Sequence, residues 1–329
     1  MPTSPTDLPL TRRYPALRAL PRAALCTLPT PVDSFRMASG RELLVKRDDL
    51  TATPLGGNKA RGLEWLLGGV GEGDRVVTVG PIGSNSALAT AVYARRLGAT
   101  TTVVRWKQHL NPAAVAVDAR IREVARVVDA GSVPVAYVVA TIARLRQRAL
   151  WVPAGAATPA AILGHVNAAL ELAEQVQARA CETPSRVFVP LGTGGTAAGL
   201  ALGFRIAGLG IPITAVRVVP RIVGRASRVA SLANRAASLI ETRSGEFVPR
   251  VPAEGIVVEH AFFGGEYGRP LAADEARAWA LRAGLALDDT YSLKTCAAAL
   301  ASAEPRPLLW LTFDGRVLDW RGTSHSGAT

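Results

Sequence analysis

The stretch Val187–Gly203, VFVPLGTGGTAAGLALG, decides the fold. Val187 to Val189 reads as a buried-type strand. Gly192-Thr193-Gly194-Gly195-Thr196 follows, and an alanine- and leucine-rich helix begins at once. A strand running through a glycine loop into a helix is the repeating unit of a parallel α/β sheet. It is also an anion site. Glycines let the backbone approach oxygen atoms, free N–H groups at the helix start point at the ligand, and the helix dipole favours negative charge. The hydroxyls of Thr193 and Thr196 add two donors. A tight turn with no ligand is the bland reading. A nucleotide is the rival ligand, because Gly192-x-Gly194-x-x-Ala197 fits the loose dinucleotide fingerprint. The next strand, however, ends VRVVPRIVG, with Arg221 and no ribose-binding carboxylate. That leaves NADP as the nucleotide to consider. No lysine follows the loop as it would in a P-loop.

The alternation continues in both directions. Strands are expected at ELLVKRD (42–48), DRVVTVG (74–80), TTVVRW (101–106), RVFVP (186–190), ITAVRVVP (213–220) and PLLWLTF (307–313). Helices are expected at ARGLEWLL (60–67), ALATAVYARRLG (87–98, closed by Gly98), PAAVAVDARIREVARVV (112–128), PAAILGHVNAALELAEQVQARA (159–180), AAGLALGFRIAGLG (197–210) and ADEARAWALRAG (273–284). Strands separated by helices predict an α/β fold of open, mostly parallel sheets flanked by helices. The small, proline-flanked PAGAATP at 153–159 suits a boundary between two such units.

Composition excludes several classes. The chain has 329 residues, 49% hydrophobic and 19% charged, a globular profile. No apolar run reaches membrane-spanning length. The opening, MPTSPTDLPLTRRYPALRALPRAALCTLPTP, is broken by prolines and arginines and lacks the apolar core of a secretory signal, so a cytoplasmic location is expected. Cys26, Cys181 and Cys296 are scattered and odd in number, which argues against disulfides or a cysteine metal site. His109, His165, His260 and His325 show no metal-binding spacing, so no metal is expected. The net charge of +12 raises nucleic acid as a partner, but the basic residues are spread and aromatics are only 5%. An anionic small molecule fits better.

Two further stretches carry chemistry. Ser84-Asn85-Ser86 lies between an expected strand and a helix start, where Asn85 or Ser86 can be a plain N-cap. The same place can hold a carboxylate, with Asn85 donating to a ligand oxygen. In VKRDDLTATPLGGNKARGLEW (45–65), Lys59 follows two glycines and Asn58, a possible cap, at an expected helix start. Positive charge is disfavoured there, which favours the neutral amine, a nucleophile suited to forming a Schiff base. An imine-forming lysine together with a separate phosphate cradle suggests pyridoxal 5′-phosphate.

With these motifs in place the chain resembles the D-cysteine desulfhydrase / 1-aminocyclopropane-1-carboxylate deaminase family. These are pyridoxal-phosphate enzymes of fold type II, like the tryptophan synthase β chain. The resembling blocks are LPTPVDSF with LVKRDDLTATPLGGNKARGLEWLL, GSNSALATAVYARRLG, VPAGAATPAAILGHVNAALELAEQ, GTGGTAAGLALG and GGEYGRPLAADEARAWALRAGLALDDTYSLKTCAAAL. The resemblance implies that Lys59 carries the cofactor and acts as base. It implies that Ser84 contacts the substrate and Asn85 the cofactor ring oxygen. Asn58 and Gly192, Thr193, Gly194, Gly195 and Thr196 hold the cofactor, Thr312 partners the pyridine nitrogen, and Tyr267 and Tyr291 face ring or substrate. It further implies two domains, 1–56 with 164–329 and 57–163, and a homodimer with a small amino-acid substrate, without membrane or nucleic-acid partners. The implied reaction is β-elimination from D-cysteine to pyruvate, ammonia and sulfide.

Several positions differ from the family pattern. Ser292 stands where deaminases carry glutamate, and Thr312 where they carry leucine; both point away from deamination of the cyclopropane substrate. Phe313-Asp314 replaces small residues, Gly83 a glutamine, Gly62 a lysine and His165 a tyrosine. Other pyridoxal-phosphate reactions on the same scaffold stay open as alternatives: deamination of 1-aminocyclopropane-1-carboxylate, β-replacement, racemisation or a specialised biosynthetic step. An NADP-binding oxidoreductase and a non-catalytic cofactor-binding protein are the readings of other classes.

Overall fold

The structure is a computed structural model that describes residues 7–37, 40–53 and 55–315. In chain order its strands are β1 (Val32–Arg36), β2 (Glu42–Lys46), β3 (Arg75–Pro81), β4 (Thr100–Trp106), β5 (Arg126–Asp129), β6 (Leu150–Val152), β7 (Arg186–Leu191), β8 (Ile213–Arg217), β9 (Ile256–Glu259) and β10 (Pro307–Trp310). The helices are α1 (Pro9–Arg13), α2 (Asn58–Leu66), α3 (Asn85–Arg96), α4 (Pro112–Val124), α5 (Val133–Gln147), α6 (Pro159–Gln177), α7 (Gly195–Ile206), α8 (Ala226–Ser244), α9 (Asp274–Arg282) and α10 (Ser292–Ala301).

Two sheets form. One has six strands in the order β1-β2-β10-β7-β8-β9, and the other four in the order β5-β4-β3-β6. Every pairing is parallel except β1 with β2 at one edge. The six-stranded sheet is apolar on both faces, as helices on either side require. Leu44, Leu308 and Trp310 point into a core shared with α6, α7 and α8. Leu43, Val45, Leu309 and Leu311 point the other way, onto Trp279, Leu293 and Cys296 of α9 and α10.

The late strand β10 inserts between β2 and β7. Its end therefore lies beside the segment that leaves β2. Gly57 forms an isolated bridge with Phe313 there. This register brings Thr312 next to the start of α2.

The expected α/β layout is present, and two local readings need correction. The helix expected over 112–128 stops at Val124. Ala125 is extended (φ −146°, ψ 155°), and Arg126–Asp129 becomes an edge strand on β4. β-branched Val127 and Val128 gain a ladder there that a helix would not offer. Helix α5 was not expected. It packs inward through a narrow stripe of Ala136, Val139, Ala140 and Ala143, while Val133, Val135 and Val138 are exposed, so the stripe is masked by apolar residues on its other face. Strands β1, β5, β6 and β9 and helices α1, α8 and α10 were likewise unassigned. No helix among the described residues is long and apolar enough to cross a membrane.

Candidate active site

A cavity of about 750 Å³ opens where the ends of β3, β7 and β10 meet the starts of α2, α3 and α7. Every site residue expected from the sequence lines it: Asn58, Lys59, Ser84, Asn85, the loop Gly192–Thr196, Tyr267, Tyr291 and Thr312. Open α/β sheets place ligands at such strand ends.

The turn that presents Lys59 is stitched to β10. Gly57 has φ +111°, and a Cβ there would sit 2.7 Å from the Thr312 carbonyl oxygen, so only glycine fits. The Asn58 N–H donates to that same carbonyl at 3.0 Å. Gly57, not Asn58, is the N-cap. The Asn58 side chain instead donates to Thr196 Oγ1 at 2.7 Å, which ties the lysine helix to the glycine loop. Lys59 faces the cavity, and its amine donates to the Gly155 carbonyl at 3.3 Å. Glu266 is the only carboxylate among the described residues that line the cavity. With burial uncompensated by an anion, the Lys59 amine is lowered to about 8. Desolvation thus supplies the shift that the sequence reading assigned to the helix end.

The glycine loop is shaped for an anion. Gly194 (φ +94°) is the N-cap of α7 and brings no side chain to cap it. The first N–H groups of α7 are therefore available to a ligand at the cavity wall. Gly155, φ +71°, packs so closely that a Cβ would lie 2.2 Å from Thr193 Oγ1. The segment carrying the partner of Lys59 thus rests on the phosphate-type loop.

At α3 the cap is Ser84, whose Oγ accepts the Ala87 N–H at 3.3 Å. Asn85 is the first helical residue, so neither Asn85 nor Ser86 is the cap. Ser86 Oγ is buried without a partner among the described residues and lines the cavity. Gly83 has φ +74°, and a Cβ there would fall 2.4 Å from the Ala114 carbonyl oxygen. That contact explains why no glutamine stands at this position.

Tyr267 and Tyr291 join hydroxyl to hydroxyl, with ring centroids 6.1 Å apart and planes at 74°. Burial pushes the Tyr267 phenol up to about 12 and raises that of Tyr291. Both stay protonated at neutral pH. Asp288 fixes the second tyrosine by accepting the Thr290, Tyr291 and Ser292 N–H groups. The Ser292 hydroxyl donates to Asp288 Oδ1 at 2.6 Å, and Ser292 is not among the cavity-lining residues, whereas Thr312 is. Phe313 lines the cavity, but Asp314 accepts the Gly56 N–H at 3.0 Å. Asp314 braces the lysine turn from outside.

Sequence reasoning missed two groups. Trp106, Tyr137, Arg228 and Phe263 also line the cavity. Arg61, Asp48 and Glu171 form an ion cluster behind it, with Arg61 and Asp48 wholly buried. The charges in KRDD and NKAR were visible, but nothing in spacing alone pairs them with a glutamate 110 positions away. Among the described residues no acid, histidine or cysteine cluster could hold a metal, and the three cysteines are unpaired. His325 lies outside the described residues.

Comparison with known proteins agrees with this geometry. Residues 24–306 match the family described as pyridoxal-phosphate dependent enzyme. The chain is 39% identical over 236 residues to nocardicin C-9′ epimerase of Nocardia uniformis subsp. tsuyamanensis, covering 65% of this chain and 70% of that protein. It is 30% identical over 302 residues to D-cysteine desulfhydrase of Klebsiella pneumoniae, covering 85% and 88%. A putative 1-aminocyclopropane-1-carboxylate deaminase of Pyrococcus furiosus is 30% identical over 294 residues, covering 84% and 85%. The solved structure of a 1-aminocyclopropane-1-carboxylate deaminase homologue superposes with a TM-score of 0.75 at 26% identity over 95% of both chains.

Proposed function

The chain belongs to the pyridoxal-phosphate-dependent enzyme family, and from that premise we propose a lyase that removes the α-proton of an amino acid and expels its β-substituent. D-cysteine desulfhydrase is the nearest description of that chemistry, with pyruvate, ammonia and a thiol or sulfide as products. Family membership sets aside the dinucleotide reading of the glycine loop.

The residues present suit the cofactor. The Lys59 amine, lowered to about 8, shares one cavity with an uncapped helix start. Pyridoxal 5′-phosphate supplies the electron sink that makes an α-proton removable. In our reading the Gly192–Thr196 loop and the α7 N–H groups hold the phosphate. Thr312 offers a neutral hydroxyl to the ring nitrogen. Asn85 holds the ring oxygen, while Ser84, Ser86 and the start of α3 hold the substrate carboxylate. The observation that carries the proposal is Lys59, a desolvated amine with a carbonyl partner and no carboxylate. Its neutral form takes the α-proton as general base. Tyr267 and Tyr291 present protonated hydroxyls to substrate.

That second proton source, with the epimerase relative, favours one further reading. A proton returned to the α-carbon by the tyrosine pair would invert its configuration. Incubation in D₂O with D-cysteine and its S-alkyl derivatives separates the two. Elimination predicts pyruvate and ammonia in equal amounts. Deuterated amino acid of opposite configuration with no pyruvate selects epimerisation. Neither pyruvate nor deuterium exchange with any of them sinks both.

We further assign residues 57–163 to a smaller unit, which contains the four-stranded sheet, and the remainder to a larger one. A cytoplasmic homodimer completes the proposal, supported in location by three unpaired cysteines.

A further inference from the structure

The residues assigned to the cofactor and to the amino-acid backbone make up only part of the cavity lining. Beyond the residues assigned above, its wall carries the apolar side chains Trp106, Val133 and Tyr137 from one sheet's elements and Val219, Val223 and Phe263 from the other's, with Lys107, Gln108, Arg228 and Glu266 as polar members. The first three belong to β4 and α5, next to the four-stranded sheet, and Val219, Val223 and Phe263 follow β8 and β9 of the six-stranded sheet. Elements of both sheets therefore contribute apolar side chains to one cavity.

These are built surfaces. Trp106 and Tyr137 stack with ring centroids 6.4 Å apart and planes at 25°, and Trp151 supports Tyr137 edge-on at 6.2 Å. On the other wall, the Arg217 guanidinium lies 4.2 Å from the centre of the Phe263 ring, and the Lys294 amine donates to the Phe263 carbonyl at 2.7 Å. Phe263 is clamped from two sides. Yet the first wall is left in water: Tyr137 is 39% and Val133 is 44% exposed. A contiguous apolar, aromatic surface at a cavity mouth marks a binding groove. Cysteine has no atoms to reach it.

We infer that the substrate is an α-amino acid with a bulky, largely apolar side chain, seated between the Trp106–Tyr137 pair and Phe263. This rests on the amino-acid reading of the same site and sharpens it. For the elimination reaction the substrate is then a β-substituted alanine with a large leaving group, as in an S-aryl or S-benzyl cysteine. The Cα–H bond breaks with its proton going to Lys59 Nζ. The Cβ–S bond breaks with its electron pair leaving on sulfur as a thiolate, which ends as the thiol. One water is consumed, and the carbon skeleton leaves as pyruvate with ammonia. No oxidant or reductant enters.

The test is titration of the holoenzyme with each enantiomer of S-benzylcysteine and with D-cysteine. It is read by the visible cofactor band and independently by calorimetry. The expected result is half-saturation by one S-benzylcysteine enantiomer at a concentration at least about tenfold lower than that of D-cysteine. Tyr137→Ala and Val133→Ala, both at partly exposed positions, are expected to shrink that preference, Tyr137→Ala by about tenfold. D-cysteine binding as tightly as S-benzylcysteine, or variants that weaken both ligands equally, overturns the bulky-substrate inference and leaves the proposed lyase standing. If no amino acid of either size binds, the amino-acid reading fails and this inference with it.

Discussion

Helix α2 has two faces that treat charge in opposite ways. Lys59 and Arg61 are two residues apart, which at 3.6 residues per turn sets them on opposite sides. Arg61 is wholly buried and saturated. It donates to Asp48 at 2.7 and 3.0 Å and to Glu171 at 3.0 Å. Lys46 adds a second cation on Glu171 at 2.6 Å, and Trp310 Nε1 donates to Asp48 at 2.7 Å. Burial alone would raise the Glu171 carboxyl, but Arg61 and Lys46 hold it down at about 2. Lys59, on the other face, has one carbonyl partner and a pKa of about 8. The lesson is a division of labour. Charges that position the helix are neutralised in pairs, and the charge that reacts is left without a counter-ion so that it can be neutral.

Breaking each face should give different failures. The largest effect belongs to the front. Lys59→Ala should slow α-proton exchange into solvent deuterium by about 10²- to 10⁴-fold. A variant slower by less than tenfold would remove Lys59 as base. The back face comes next. Arg61→Met leaves two buried carboxylates facing one lysine and should cost about 3–5 kcal/mol in denaturant unfolding. A cost below about 1 kcal/mol would show that the cluster does not anchor the helix. The smallest effect is a pH dependence. The Lys59 amine is lowered from 10.5 to about 8, so its neutral, reactive fraction grows as pH rises to 8 and is complete above it. Cofactor uptake by apoprotein should rise about tenfold per pH unit below 8 and then level off. A rise that continues toward pH 10 would indicate an ordinary solvated lysine.

The front face was legible in the sequence and the back was not. Glycine loops and helix starts are local features, so Gly192–Thr196, Lys59 and Asn85 declared themselves within a few residues each. Thr312 and the tyrosines came only through family resemblance, because β10 and the loop after β9 reach the site by long-range folding. The cap at Ser84 was missed by one residue. The Arg61–Asp48–Glu171 cluster and the Trp106–Tyr137 wall depend on how α6 and α5 pack. For α5 the clue was largely inverted: Val133, Val135 and Val138 are exposed, while Ala136 and Ala140 are buried. A reading that sends apolar residues inward fails at a helix whose outer face borders a binding cavity.

Four lysines now compete for one role. Lys46 is held by Glu171, and Lys294 is also lowered to about 8 by burial but does not line the cavity. Lys59 and Lys107 both line it, and Lys59 is the one whose amine burial lowers to about 8 and whose helix start is tied to the glycine loop through Asn58. Borohydride reduction of the holoenzyme followed by peptide mapping decides between them. The account predicts loss of the visible Schiff-base band and a pyridoxyl group on the peptide containing Lys59. A pyridoxyl group on Lys107, Lys294 or Lys46, or a protein that stays colourless with added pyridoxal 5′-phosphate, would contradict it.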